Sequence, residues 1–351
     1  MEFEVKRERL VLRVGGNKWE WHIEPRYWRN PLIYVGILIA APVVTYFLYP
    51  QLLPTIIEAN LLAAIAIPLA LMTIGTGRMN FGPQFYIGIG GYAAALLSIH
   101  SKAWLGYQLS PAITLIAAVL GGLIFGFIMS PISIIAGGLY YSLLTLLFPL
   151  LFIEATLIFS GLFKGDTGLS GVGPLVFTGS FSLNLLIYAF ISLTIMLVYL
   201  FAMDKIFRSR YAIQMAAIND DEEVASSIGV NVNRVKIISF TVAATLVAVV
   251  GWFYAHYYQS FSGQVFLPLS FMLKIFMVTM LGGRTQIYGC VIGGYFIAFL
   301  EMILIRTTGD MSPVLFPVIL LILLLVLPEG LFGLYRKRHY REYMPTLRFR
   351  R

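Results

Sequence analysis

From Pro31 onward the chain is a succession of apolar runs separated by short polar joints. Runs lie near 31–50, 55–75, 81–99, 110–131, 137–160, 183–203, 237–258, 267–281, 286–304 and 313–334. A helix that spans a bilayer needs ~20 mostly apolar residues, so the pattern predicts an all-α membrane protein with about ten transmembrane segments, several of them interrupted by glycine or proline. The runs at 81–99 and 267–281 are short or glycine-rich and are expected to be tilted, broken or re-entrant. Residues 1–30 are different. Leu10, Leu12 and Val14 alternate with other residues, Gly15-Gly16-Asn17 follows, and Trp19, Trp21 and Ile23 alternate again. That is the pattern of a β-hairpin with a central turn; a loosely ordered tail is the other reading.

Composition supports a lipid environment. The chain has 351 residues, 59% hydrophobic and 12% charged, with mean hydropathy +0.82. Soluble domains carry about 25% charged residues. The net charge of +8 is unevenly spread. Basic residues cluster before Pro31, between Lys205 and Lys236, and after Tyr335. With the N-terminus inside and ten alternating crossings, twenty-one of the twenty-five basic residues fall inside and only Lys102, Lys164 and Arg306 outside. This satisfies the positive-inside rule and places both termini in the cytoplasm; the expected location is the cytoplasmic (inner) membrane. The expected organisation is a cytoplasmic N-terminal segment (1–30), a transmembrane domain (31–335) with a cytoplasmic loop (204–236), and a basic tail (336–351). Such clustering is a topology signal rather than a nucleic-acid footprint. The charged N-terminus lacks the apolar core of a cleavable signal peptide.

Chemistry-bearing motifs are sparse. No phosphate-binding Gly-x-x-x-x-Gly-Lys-Ser/Thr loop occurs, the four histidines (His22, His100, His256, His339) lack metal-ligand spacing, and Cys290 stands alone. No catalytic constellation, cofactor site or metal site is expected.

The loop around 216–231 is the most informative segment. Asn219 can cap a short helix whose first turn carries Asp220, Asp221, Glu222 and Glu223, with carboxylates at the positive end of the dipole. Val224, Ala225 and Ile228 give an apolar stripe, and Gly229 ends the helix. Such a helix suits docking in a partner's groove; a solvated loop helix is the alternative.

Ala217 to Lys236 resembles the cytoplasmic loop of permeases from branched-chain amino acid ABC importers. Asn80-Phe81-Gly82-Pro83-Gln84-Phe85-Tyr86 through Gly90-Gly91-Tyr92, Gly165-Asp166-Thr167-Gly168-Leu169-Ser170-Gly171, Leu281-Gly282-Gly283 with Tyr288-Gly289, and Leu327-Pro328-Glu329-Gly330-Leu331 are similar to other stretches of that family, in family order, over roughly 60–335. The resemblance implies a permease subunit that pairs with a second permease chain, two ATPase subunits and an extracytoplasmic binding protein. It implies that Ala217, Asn219, Asp220, Asp221, Glu222, Glu223, Ala225, Ile228 and Gly229 form a coupling helix, and that Gly165, Asp166, Thr167 and Gly168 lie in an external loop where ligand arrives. Asn219 stands where the family usually has arginine, Ala212-Ile213 replaces a common Gly-Arg, and Thr285-Gln286 replaces Gly-Ser. These departures bear on substrate identity: a urea or short-amide importer is a rival within the family, and an ion-coupled secondary transporter is the rival of another class.

Charges at membrane depth are costly and usually pair or face a polar path. Glu58, Glu154 and Glu301 are expected to be helix-end residues that snorkel to the interface. Lys274 is deeper, and with Asn80, Gly82 and Gln84 it is a candidate for the translocation pathway. The Gly77–Tyr92 and Gly283–Tyr295 stretches look alike, through an internal repeat or through chance likeness of glycine-rich segments.

Overall fold

The computed structural model describes residues 2–6, 9–14, 17–22, 31–282 and 287–326. Three strands, β1 (Glu2–Lys6), β2 (Arg9–Val14) and β3 (Asn17–His22), form an antiparallel meander. The β2–β3 register pairs Leu10 with Trp21 and Leu12 with Trp19. The alternation in the sequence marked this hairpin; β1 alternates just as strictly, Glu2-Phe3-Glu4-Val5-Lys6, but is only five residues long and lies outside the hairpin expected from the sequence.

The rest is helical: α1 (Pro31–Leu48), α2 (Leu53–Ala70), α3 (Pro83–Leu105), α4 (Pro111–Met129), α5 (Ile132–Ile135), α6 (Gly138–Ile158), α7 (Ser160–Phe163), α8 (Phe181–Phe207), α9 (Arg210–Asp220), α10 (Glu222–Ser227), α11 (Val232–Tyr258), α12 (Gly263–Phe266), α13 (Leu269–Gly282), α14 (Gly289–Thr308) and α15 (Ser312–Val326). Each apolar run carries one longer helix. Among the described residues, seven helical stretches are long and apolar enough to cross a membrane. The chain is therefore an integral membrane protein. The difference from ten has physical causes. One stretch, Gly289–Leu323, takes in both α14 and α15 across a 3-10 turn at Gly309–Met311. α1, Pro31–Leu48, is an apolar helix of 18 residues, at the short end of what a span needs. Glycines, Ser98, His100 and Lys102 dilute the hydropathy of α3. This last helix is not broken: it runs unbroken for 23 residues. The run at 267–281 is likewise carried by one helix, α13, with the Leu267-Pro268 joint to the short α12 at its very start.

At the centre lies α2, 89% of whose apolar window is buried. A helix that is apolar all round belongs inside a bundle. Around it pack α8, α11, α13 and α14. By contrast α4 and α6 expose Ile116, Leu120, Leu123, Phe127, Leu143, Leu147 and Leu151 on the periphery. So much contiguous apolar surface suits lipid rather than water. α3 and α11 approach closely. A Cβ at Gly251 would collide with the Ile87 carbonyl oxygen, so only glycine lets the two backbones touch there.

The connections mark two ends of the bundle. At the loop end, α9 and α10 join α8 to α11. At the far end, β4 (Leu169–Ser170) pairs antiparallel with β5 (Ser260–Phe261). Between them, Tyr295 on α14 donates to Asn60 Oδ1 on α2 (2.8 Å), and Asn60 donates to Ser192 Oγ on α8 (3.1 Å).

Candidate functional site: a clasped loop, a broken helix and a buried ion cluster

At the loop end the chain departs from the expected single acidic helix. Asn219 and Asp220 close α9, which is capped by the Ser209 side chain. Asp221, in extended conformation, is the cap of α10: its carboxylate accepts from the N–H groups of Glu223 (2.8 Å) and Val224 (3.0 Å). An aspartate placed two and three residues before free N–H groups competes with helix continuation and splits the segment in two. Asn219 instead lies against Gly77, where a Cβ would strike its Oδ1.

The apolar stripe is also narrower. Ala225, Met215 and Ile218 are buried and fasten the helix pair to the bundle. Val224, Ile228 and, on α9, Ile213 remain 58%, 70% and 72% exposed. Ala217 is half-buried; Gly229 ends α10 with positive φ. A concavity of about 570 Å³ lies beside α10, between Glu222 and Asn233.

Glu222 is not a free surface charge. Its Oε1 lies 2.8 Å from Arg78 and its Oε2 lies 2.5 Å from Lys236. Both cations are buried, and Arg78 also donates to the Ala136 carbonyl and sits over the Tyr141 ring. Burial alone would raise the Glu222 carboxyl, but the hydrogen bonds from Lys236 and Arg78 outweigh it and hold the group below its ordinary value.

Arg78 stands just past a break. The last turn of α2 widens into a π-helix over Leu71–Gly75, and the chain then crosses Thr76–Gly82 before α3. π-Helical turns cluster at functional positions. Asn80 folds its Oδ1 onto the Gly82 N–H (2.8 Å), and Gly82 packs on the Thr145 carbonyl. Two spaces meet here. One of about 350 Å³ is lined by Thr73, Gly77, Met79, Asn219 and Met280; a narrow one beyond it touches Asn80, Pro83 and Phe276. Gln84 is fully buried, and neither of its amide atoms has a hydrogen-bond partner.

In the other half of the bundle, Lys274 on α13 reaches Glu301 on α14 (2.7 Å) and Glu58 on α2 (3.6 Å). Tyr254 on α11 donates to Glu58 (3.0 Å). Glu58 and Glu301 are thus not snorkelling helix-end residues; a cation supplied by a third helix keeps them inside. Glu154 is exposed. Lys274 bonds to Glu58 and Glu301, whereas Asn80 bonds to Gly82, so the pathway candidates divide into two groups by their partners.

At the far end Gly165, Gly168 and Gly171 all have positive φ, and a 3-10 turn covers Gly165–Thr167. Gly168 has its backbone against Phe261 and Ser262. His256 on α11 holds the following segment, with Nδ1 2.5 Å from the Gly173 carbonyl and Nε2 2.7 Å from Thr114 Oγ1. Nothing in the sequence marked His256 for this role.

The family described as branched-chain amino acid transport system / permease component matches residues 51–328. The chain belongs to this branched-chain amino acid permease family. Relatives are distant. The high-affinity branched-chain amino acid transport system permease protein LivH of Escherichia coli (strain K12) is 30% identical over 128 residues, 36% of this chain and 40% of that protein. The Salmonella typhimurium protein of the same name is equally similar over the same share. The matched stretch thus covers only about two-fifths of these relatives. The protein of Methanocaldococcus jannaschii named "Probable branched-chain amino acid transport permease protein LivH" is 23% identical over 312 residues, 81% of this permease and 92% of the other. No solved structure matches.

Proposed function

We propose that this permease is the membrane-spanning subunit of an ABC importer that carries branched-chain or related amino acids across the cytoplasmic membrane. ATP hydrolysis belongs to partner ATPase subunits, a second permease subunit completes the pathway, and an extracytoplasmic binding protein delivers the ligand. The observation that carries this reading is the α9–α10 pair. It is fastened to the bundle by Met215, Ile218 and Ala225, yet it turns Ile213, Val224 and Ile228 outward among polar neighbours. Apolar side chains on a short, anchored helix pair are what a groove in a soluble partner accepts.

Ten crossings, with both termini and α9–α10 in the cytoplasm, follow from the basic-residue distribution. The Gly165–Thr167 turn and Gly168 then face outward, where ligand arrives. Asn80, Gly82 and Gln84 border the pathway at the break, since a buried amide without bonds is a group that a polar solute can satisfy. Lys274 is the candidate in the outer half.

Val224→Glu with Ile228→Glu is the decisive variant. Uptake of radiolabelled leucine and co-purification of the ATPase subunit are both expected to fall at least tenfold while the protein still reaches the membrane. Unchanged uptake and co-purification would remove the importer reading. Orientation is read separately: cysteines replacing Lys164 and Arg306 are expected to react with an impermeant label from outside, and one replacing Asn231 is not.

A further inference from the structure

The acidic character of the loop has a use different from matching charge on a partner. Glu222 is the single carboxylate between two buried cations that come from different parts of the bundle. Arg78 belongs to the segment between the π-helical end of α2 and the start of α3. Lys236 lies in the first turns of α11. Arg78 is held in turn by the Ala136 carbonyl, in the link before α6. Among the described residues, Glu222 is thus the point at which the α9–α10 loop grips this part of the bundle by charge, and Asn219 against Gly77 is a second contact between the same loop and the same break.

The consequence of moving α10 follows from Coulomb's law. If Glu222 withdraws, Arg78 and Lys236 are left as two buried like charges without their shared counter-ion, and neither can stay where it is. Unpaired buried charges are strongly unfavourable, so the 76–82 segment and the start of α11 must follow the loop or rearrange. The same segment lines the space of about 350 Å³ between Thr73, Gly77, Met79, Asn219 and Met280. Displacement of α10 is therefore converted into displacement of that space's wall.

We propose that Glu222 is a positioning residue that transmits movement of α9–α10 to the break between α2 and α3, acting through Arg78 and Lys236 rather than by touching the ATPase or the solute. This rests on the importer reading above. It separates that loop into a docking face, with Val224, Ile228 and the exposed Glu223, and a transmitting face, with Glu222 and Asn219.

The test uses the full importer, with its ATPase and binding protein, reconstituted in liposomes, and reads leucine uptake per ATP hydrolysed. Glu222→Gln is expected to keep the ATPase bound and hydrolysing while uptake per ATP falls at least tenfold. Glu222→Asp should restore part of the ratio. The exchange Glu222→Lys with Lys236→Glu, which keeps two cations and one anion, should recover more than either single change. Hydrogen exchange supplies a readout independent of transport: amides of 71–82 should exchange faster in Glu222→Gln than in wild type. A variant with wild-type uptake per ATP and unchanged exchange over 71–82 overturns the proposal. If Glu222→Gln fails to accumulate, the exchange variant decides: an accumulated exchange variant that hydrolyses ATP without uptake also overturns it. Loss of ATPase co-purification in Glu222→Gln would assign Glu222 to docking instead. A wild-type chain that binds no ATPase defeats the importer reading itself, and this proposal with it.

Discussion

The two ion clusters of this permease are built from the same parts in opposite proportion. At the loop end one carboxylate, Glu222, serves two cations, Arg78 and Lys236. In the other half one ammonium, Lys274, serves two carboxylates, Glu58 and Glu301. The more telling difference is what carries the shared charge. Glu222 sits on α10, a short helix outside the bundle, whereas Lys274 sits on α13, packed against α2 and α14. The first cluster opens if one surface element shifts. The second opens only if long packed helices separate. One is a joint and the other a lock.

The largest effect is expected at the lock. Lys274→Met leaves two carboxylates inside the bundle with no cation, and breaking a buried pair in this way costs about 3–5 kcal/mol. Detergent-solubilised protein should melt at markedly lower temperature or fail to accumulate. Adding Glu58→Gln and Glu301→Gln should recover most of the loss, because the uncompensated charge is gone. If the triple variant is no more stable than the single one, the cluster is not held by its charges. If it is stable but takes up no leucine, Lys274 also serves the pathway.

Next comes the far-end loop. A Cβ at Gly168 would lie 2.6 Å from both the Phe261 carbonyl oxygen and Ser262 Cβ, at φ +67°. A β-branched residue there suffers the left-handed backbone and the contact together, on the order of 1–3 kcal/mol. Gly168→Val is expected to reduce uptake severalfold while membrane levels stay normal. Full uptake with full expression would show that the β4–β5 pairing is not needed for transport.

These two clusters also show what the sequence could and could not reveal. The helices were legible because apolar runs are local. The far-end glycines were legible because positive φ leaves a compositional trace, and Gly165, Gly168 and Gly171 all adopt it. Pairing across the chain leaves no such trace. Glu58 and Glu301 looked like helix-end residues because their cation stands far away in sequence, at Lys274. Glu222 looked like a docking charge for the same reason, with Arg78 144 residues distant. The misplaced cap had a local cause: Asn219, Asp220 and Asp221 are all good caps, and only the backbone turn at Asp221 chooses among them.

The joint has its own pH signature. Because the Glu222 carboxyl is held below its ordinary value of 4.5, its contribution to stability is complete above that value and is lost as pH falls through the lower, folded one. The difference in melting temperature between wild type and Glu222→Gln should therefore stay constant from about pH 8 to pH 6 and shrink only in more acid solution. A difference that already shrinks between pH 8 and pH 6 would mean that another group controls the joint.

The smallest effect is expected at Glu223, next to Glu222 in sequence but opposite to it in setting. Its side chain is exposed, and it stands in the first turn of α10 beside the outward-facing Val224. A carboxylate there gains about 0.3–1 kcal/mol from the helix dipole. At the rim of a docked interface, a charge acts mainly on the rate of association. Glu223→Gln should therefore slow binding of the ATPase by about twofold in dilute salt, with uptake per ATP unchanged once the complex has formed. The difference should vanish at about 0.5 M salt, where exposed charges are screened over a few ångströms. A defect that persists at high salt would place Glu223 in a desolvated contact, and the separation of α10 into a docking face and a transmitting face would have to be redrawn.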